Sequence, residues 1–160
     1  MTVGLSACKF SKYIMIKKLI LYVLLISLLS FFTQCENGNK TINCFPNSSI
    51  SYSADLNLPQ FQKLAGINGY VYIEAGPLTG TKGLILVKIG PNEFKAYDRN
   101  PPHICPGSNT GLVVKDDIYL YCPEDGAKWI LTTGQPLEVA NRSPKTYNAQ
   151  LVGNTVIISY

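Results

Sequence analysis

The sequence contains a single histidine, His103, among its 160 residues. Because imidazole is the most frequent general base and a common metal ligand, one copy excludes any site within the chain that needs two histidines. The sequence also lacks a glycine-rich phosphate loop and carboxylates paired at a spacing suited to acid–base chemistry. We therefore predict that the protein is not an enzyme.

Positive charge is scarce outside the N-terminal part of the chain. Residues 1–34 hold four of the 14 Lys and Arg residues and none of the 10 acidic ones, so the remainder keeps ten of each sign. The formal net charge of +4 therefore belongs to the N-terminal segment. A balanced charge without a basic cluster argues against nucleic-acid binding by the folded part.

No apolar run is long enough to span a bilayer comfortably as a helix. Residues 19–32 form an uncharged run of 14 residues, whereas a span needs ~20. The run follows Lys17 and Lys18, and a basic segment before a short apolar run is typical of a secretory signal. We expect residues 1–34 to be this signal, with Met15 as a second possible start of the protein.

Cys35 lies just after the apolar run and before a polar stretch. This position resembles the lipobox of bacterial lipoproteins, although Gln34 stands where small residues are usual. The resemblance implies lipidation at Cys35 and a membrane-anchored protein of the bacterial cell envelope, in the periplasm or at the outer membrane. Plain secretion and a retained membrane anchor are the alternatives, and the sequence names no protein partner.

The remaining chain has the pattern of a β domain. Residues 35–49 are rich in Asn, Ser and Thr and are predicted to be a polar tether. Residues 50–160 alternate short β-branched or aromatic runs with Gly and Pro and contain no amphipathic helical repeat, which predicts an all-β antiparallel sandwich or small barrel. Strands are expected near residues 50–52, 69–73, 83–89, 93–97, 111–114, 118–121, 127–131, 145–151 and 155–159.

Two cysteine-containing loops flank the hairpin of this domain. A strand ending in Tyr97-Asp98-Arg99 leads into the first loop, and the second reads Cys-Pro-x-x-Gly-x-x-Trp from Cys122 to Trp129. Together with the C-terminal pattern, these loops resemble the Rieske domain, most closely small Rieske-like lipoproteins of Bacteroidetes-type bacteria with incomplete cluster ligands. The C-terminal residues that carry the resemblance are Gly134-Gln135-Pro136-Leu137, Ala140, Tyr147 and Gly153-Asn154-Thr155-Val156-Ile157-Ile158.

The resemblance implies a 2Fe-2S site whose ligands are incomplete. Rieske proteins hold the cluster with two thiolates and two imidazoles. His103 and Cys122 stand at two of the four ligand positions, whereas Pro101 replaces a cysteine and Asp125 replaces a histidine. Proline offers no side-chain donor, so a standard Rieske centre is excluded within one subunit.

Cys105 leaves three other arrangements open. His103, Cys105, Cys122 and Asp125 could ligate a 2Fe-2S cluster unusually, or they could form a tetrahedral zinc site. In an exported protein, however, two cysteines on facing loops more often pair, so we predict a disulfide between Cys105 and Cys122. The sequence does not decide the state of Cys44.

We therefore predict that the protein is a structural or binding module with a degenerate cluster site and no cofactor. The alternative is an electron-transfer protein whose 2Fe-2S cluster has unusual or shared ligands. Asp98 and Arg99, at the end of the strand before the first loop, are expected to form a salt bridge or to cap a turn.

Overall fold

The computed structural model describes Lys18 and residues 41–160. Apart from Lys18, the predicted signal at residues 1–34 and the predicted lipidation at Cys35 lie outside the described residues. The predicted boundaries of tether and domain stay predictions. Within the described part, no helix has the length and apolar character needed to cross a membrane.

Between residues 41 and 160 the structure contains nine strands and one 3-10 helix. The helix, Pro59–Ala65, buries Phe61 and Leu64. The strands are β1 (Ser51–Asp55), β2 (Tyr70–Ile73), β3 (Leu84–Lys88), β4 (Phe94–Asp98), β5 (Val113–Lys115), β6 (Tyr119–Tyr121), β7 (Lys128–Ile130), β8 (Thr146–Val152) and β9 (Thr155–Ser159).

The strands form a curled six-stranded sheet and a small three-stranded sheet, both antiparallel. The large sheet has the order β1-β9-β8-β4-β3-β2, and the small sheet has the order β5-β6-β7. The prediction of an all-β fold is confirmed. Asp116 and Asp117, at φ 55° and 54°, make the turn between β5 and β6, and two consecutive positive φ angles match the tight hairpin that the polar sequence predicts.

Strand β3 lies between two hydrophobic cores, which explains its unbroken apolar sequence. Leu84 and Leu86 belong to the core inside the curl of the large sheet. Ile85 and Val87 point to the other face, where they join the core under the small sheet. Because side chains alternate along a strand, both faces of β3 must be apolar when both are covered. All four residues have zero solvent exposure.

The small sheet is fixed to the large one through the second core, and this packing sets the position of both loops. The core contains the indole of Trp129, which is fully buried, together with Leu120 and Cys122 on β6 and just after it. Further members are Tyr97, Leu112, Ala127 and Leu131. The two cysteine-containing loops therefore both begin or end at residues of this second core.

A buried carboxylate closes the end of β4. Asp98 is 1% exposed; its Oδ2 accepts a hydrogen bond from the Tyr147 hydroxyl at 2.6 Å, and its Oδ1 accepts one from the Asn100 backbone N–H at 2.7 Å. Asp98 thus caps the turn into the first loop, one of the two roles expected for it. Arg99 instead donates to the Leu112 carbonyl at 3.2 Å.

Candidate functional site

Two loops meet at one end of the small sheet. The first loop, residues 99–112, joins β4 to β5, and the second loop, residues 122–127, joins β6 to β7. The second loop is a tight turn in which the Gly126 N–H donates to the Cys122 carbonyl at 2.9 Å. Gly126 has φ +80°, a conformation that glycine adopts without a Cβ clash. This explains the glycine in the second-loop pattern.

The loops are joined by His103 and Asp125. The distance between His103 Nε2 and Asp125 Oδ2 is 2.5 Å, and the side chains are 10% and 25% exposed. Asp125 Oδ1 accepts a hydrogen bond from the Ala127 N–H at 3.0 Å. Because an ionised carboxylate can only accept, the shared proton belongs to Nε2 of the imidazole. One carboxylate therefore holds both the first loop and its own turn.

The electrostatics of this contact favour ionised Asp125. Burial by itself would raise the pKa of Asp125, but the hydrogen bond from His103, assisted by those from the Ala127 N–H and the Cys122 thiol, outweighs burial and lowers it. Donors that satisfy the charged form of a carboxyl stabilise that form.

Trp129 contacts the imidazole of His103 edge to face. The ring centroids of His103 and Trp129 lie 5.5 Å apart in an edge-to-face arrangement, and the indole N–H is anchored on the Arg142 carbonyl at 2.6 Å. The imidazole Nδ1 is buried and makes no hydrogen bond within the described residues. The orientation of His103 is thus fixed by one hydrogen bond and one ring contact.

The predicted disulfide between Cys105 and Cys122 is wrong. Cys105 pairs with Cys44, with a Cα–Cα distance of 5.6 Å, and Cys122 is a free, buried thiol. Cys122 follows Leu120 by two positions and shares its inward face, so it joins the second core. Cys105 lies on the exposed part of the first loop. Because the side chain of Cys122 points into the core, it does not contact Cys105.

The environment of Cys122 keeps its thiol protonated. Burial raises the pKa of Cys122, and the neighbouring Asp125 carboxylate raises it further, while backbone N–H groups of the second loop oppose the shift. A protonated thiol is a poor nucleophile and a poor metal ligand. Cys122 therefore acts as a small core side chain with a hydrogen bond to Asp125.

The side chains of the two loops fit neither a 2Fe-2S cluster nor a tetrahedral zinc site. Pro101 is buried and has no side-chain donor, and the sulfur of Cys105 is bonded to Cys44, so the set of four proposed for zinc loses one thiolate. Asp125 already accepts hydrogen bonds on both oxygens. Within residues 41–160, no three His, Cys, Asp or Glu side chains are grouped so that they could hold a metal ion.

Cys44 is the functional residue that sequence reasoning left unassigned. Its bond to Cys105 pins the segment before β1 against the first loop, where the Ile42 N–H also donates to the Pro102 carbonyl at 3.3 Å. The signal available in the sequence was the odd count of three cysteines after Cys35. That count required one unpaired thiol but did not identify it.

Comparisons with known proteins identify no family for this chain. No protein-family model matches it, and no curated protein matches it. Among solved structures, it is similar to a crystal structure described as a "putative nitrite reductase NADPH (small subunit) oxidoreductase protein". The TM-score is 0.39, with 16% identity over 68% of this chain and 99% of that chain. A likeness this weak supports no argument about fold or function.

The cysteine assignment predicts a specific peptide map. Digestion of the non-reduced protein should yield a Cys44–Cys105 linked peptide, and native alkylation should leave Cys122 unmodified because it is buried. The double variant C44S/C105S should lose roughly 4 kcal/mol in urea unfolding, from the chain-entropy model for a bridge spanning 61 positions. A Cys105–Cys122 peptide would contradict the assignment.

The lowered pKa of Asp125 predicts an acid-sensitive stability. Its contribution is fully present above the pKa of an unfolded aspartate, ~3.9, and is lost as the pH falls through the lower folded value. Wild type should therefore lose stability between about pH 4 and pH 2 more steeply than D125N, measured by urea unfolding across that range.

The matched control for D125N is E124Q, which removes the neighbouring carboxylate that forms no ion pair within the described residues. E124Q should retain the wild-type slope below pH 4. Parallel pH profiles for wild type and D125N would show that the His103–Asp125 contact does not stabilise the fold.

Proposed function

We propose that the chain is an exported lipoprotein whose residues 50–160 form a Rieske-type domain with a degenerate cluster site. The domain acts as a structural or binding module, without a standard iron–sulfur centre and without enzymatic activity. In this proposal Cys35 carries the lipid, and the protein resides in the bacterial cell envelope, in the periplasm or at the outer membrane.

The observation that carries the proposal is the direct contact between His103 and Asp125. The resemblance places the two histidine ligands of a Rieske cluster at these two positions, and here their side chains bond to each other over 2.5 Å. A cluster would need both side chains to turn towards iron. The space between the loops is instead bridged by a protein hydrogen bond.

The state of the cysteines supports the same conclusion. Pro101 supplies no thiolate, and Cys105 is held by Cys44, so Cys122 is the one thiol left in the two loops. A Rieske centre uses two thiolates on one iron. The alternative electron-transfer protein would require ligands from a second subunit and release of Asp125 from His103.

The loops keep a defined arrangement without metal. The first loop is tied by the Cys44–Cys105 bond, and the two loops are tied together by His103 and Asp125. Lys82 adds a third link through its ammonium, which donates to the Gly107 carbonyl at 2.7 Å. A rigid loop pair on a β scaffold suits a binding role.

Iron reconstitution tests the proposal. Wild-type protein incubated with iron, sulfide and reductant under argon should acquire neither Rieske-like visible absorption nor the corresponding electron paramagnetic resonance signal. The variant P101C/D125H restores the two missing ligand types and should acquire both, because the scaffold is of Rieske type. Circular dichroism and urea unfolding check that the variant is folded.

Three results would contradict the proposal. A cluster in the wild type would overturn the degenerate site and favour the electron-transfer alternative. A folded P101C/D125H variant that binds no cluster would contradict the Rieske-type scaffold. Iron and acid-labile sulfide at stoichiometric levels in protein purified from its native host would also overturn the proposal.

The lipid anchor predicts how the protein fractionates. In its host, the wild-type protein should be found in the membrane fraction and should incorporate a labelled fatty acid, whereas C35A should lose the label because the acylated thiol is absent. C8A is the matched control, since Cys8 precedes the apolar run. Equal labelling of wild type and C35A would reject the anchor.

A further inference from the structure

A polar cleft of about 200 Å³ lies between the segment before β1 and the end of the large sheet. Its polar lining comes from Thr41, Asn47 and Ser48 of that segment and from Lys145 and Tyr160, and Phe45, Pro46 and Tyr147 complete the lining. The cleft is separate from the His103–Asp125 contact and shares no residue with it.

Lys145 gives this cleft a positive charge. Its ammonium Nζ lies 3.9 Å from the centre of the Tyr160 ring and 5.9 Å from that of Tyr147. The two rings are packed edge to face, 5.4 Å apart. Among the described residues, Lys145 forms no ion pair with a carboxylate. The rings orient the ammonium but leave its charge uncompensated.

The carboxylate behind Tyr147 is already occupied. Asp98 accepts the Tyr147 hydroxyl on one oxygen and the Asn100 amide groups on the other. Because it is 1% exposed, it presents no free oxygen to the cleft. The electrostatics at the cleft surface are therefore set by Lys145.

Neutral hydrogen-bond donors line the same cleft as the ammonium. Thr41 and Ser48 contribute hydroxyl groups, and Asn47 contributes an amide; none of these side chains forms a hydrogen bond within the described residues. The Tyr160 hydroxyl oxygen accepts a hydrogen bond from the Lys145 ammonium, which lowers the pKa of Tyr160, and its O–H remains available to donate. A positive charge surrounded by unused donors is complementary to an oxyanion.

The side of the cleft formed by residues 41–48 is held in place by few bonds. Cys44 is bonded to Cys105, and the Ile42 N–H donates to the Pro102 carbonyl at 3.3 Å. At the opposite side, the Tyr160 N–H is fixed on the Ile50 carbonyl at 3.0 Å. Among the described residues, cleavage of the disulfide would leave the hydrogen bond between Ile42 and Pro102 as the backbone link from this segment to the first loop.

We propose that this cleft binds a small oxyanion, a carboxylate or a phosphate, and that it exists only while the Cys44–Cys105 bond is intact. Lys145 binds the charge, and the hydroxyl and amide groups of Thr41, Asn47 and Ser48 donate to the remaining oxygens. The site gives the binding module a ligand class and does not depend on whether the two loops hold iron.

The test is a titration of the full oxidised protein with sodium acetate and with inorganic phosphate at constant ionic strength, followed by ¹H–¹⁵N nuclear magnetic resonance. Saturable shifts are expected at Thr41, Asn47, Ser48, Lys145 and Tyr160. K145Q should weaken binding by about tenfold, because it removes a charged hydrogen bond.

K88Q is the matched control. Lys88 also lies over an aromatic ring, at 5.9 Å from that of Phe94, and its ammonium donates to the Ala65 carbonyl, away from the cleft. K88Q should bind as wild type does. Equal weakening in K88Q and K145Q would overturn the proposal, because binding would then follow net charge alone.

A separate variant tests whether oxyanion binding requires the Cys44–Cys105 bond. C44S/C105S, checked for folding by its dispersed spectrum, should lose the saturable shifts, and N47A should weaken them with the disulfide intact. Saturation by acetate alone or by phosphate alone identifies the class of oxyanion. Saturation by neither, or unchanged binding in folded C44S/C105S, contradicts the proposal.

Discussion

The arrangement of the two loops depends on one carboxylate. Asp125 accepts the imidazole of His103 from the first loop and the Ala127 N–H from its own turn. Polar groups that are removed from water must find partners within the protein, and at this point one side chain satisfies groups from both loops. Its depressed pKa is the electrostatic consequence of the same contacts.

The double-sided packing of β3 makes this contact possible. The curled sheet supplies one core and the small sheet supplies another, so the small sheet cannot shift without opening a buried interface. Asp98 closes the end of β4 and directs the chain into the first loop. The two loops consequently leave fixed positions, and the Cys44–Cys105 bond adds a constraint from the segment before β1.

The strands could be predicted because their pattern is local. The apolar run of β3, the Asp116-Asp117 turn and the alternation in β4 follow from residue order alone. The cysteine pairing could not be predicted, because Cys44 meets Cys105 across 61 positions. Alternation from Leu120 does place Cys122 inside, whereas the expected proximity of the two loops favours a bond to Cys105 that the structure does not contain.

The sequence predicts which residues belong to the candidate site but not the hydrogen bond between them. The sequence identified His103 and Asp125 as positions on two facing loops, yet nothing in residue order shows that their side chains bond to each other. The polar cleft was not predicted at all. It combines residues 41–48 with Lys145 and Tyr160, which only the folded chain brings together.

¹⁵N nuclear magnetic resonance of the His103 imidazole, in protein purified from its native host, shows whether this side chain bonds to Asp125 or to a metal. We expect a sharp signal with a proton on Nε2, hydrogen-bonded to the Asp125 carboxylate. Paramagnetic broadening of the His103 and Cys122 signals would contradict this bond and indicate a metal where the structure places Asp125. An Nε2 without a proton would contradict the bond as well, because the imidazole could then not donate to the carboxylate.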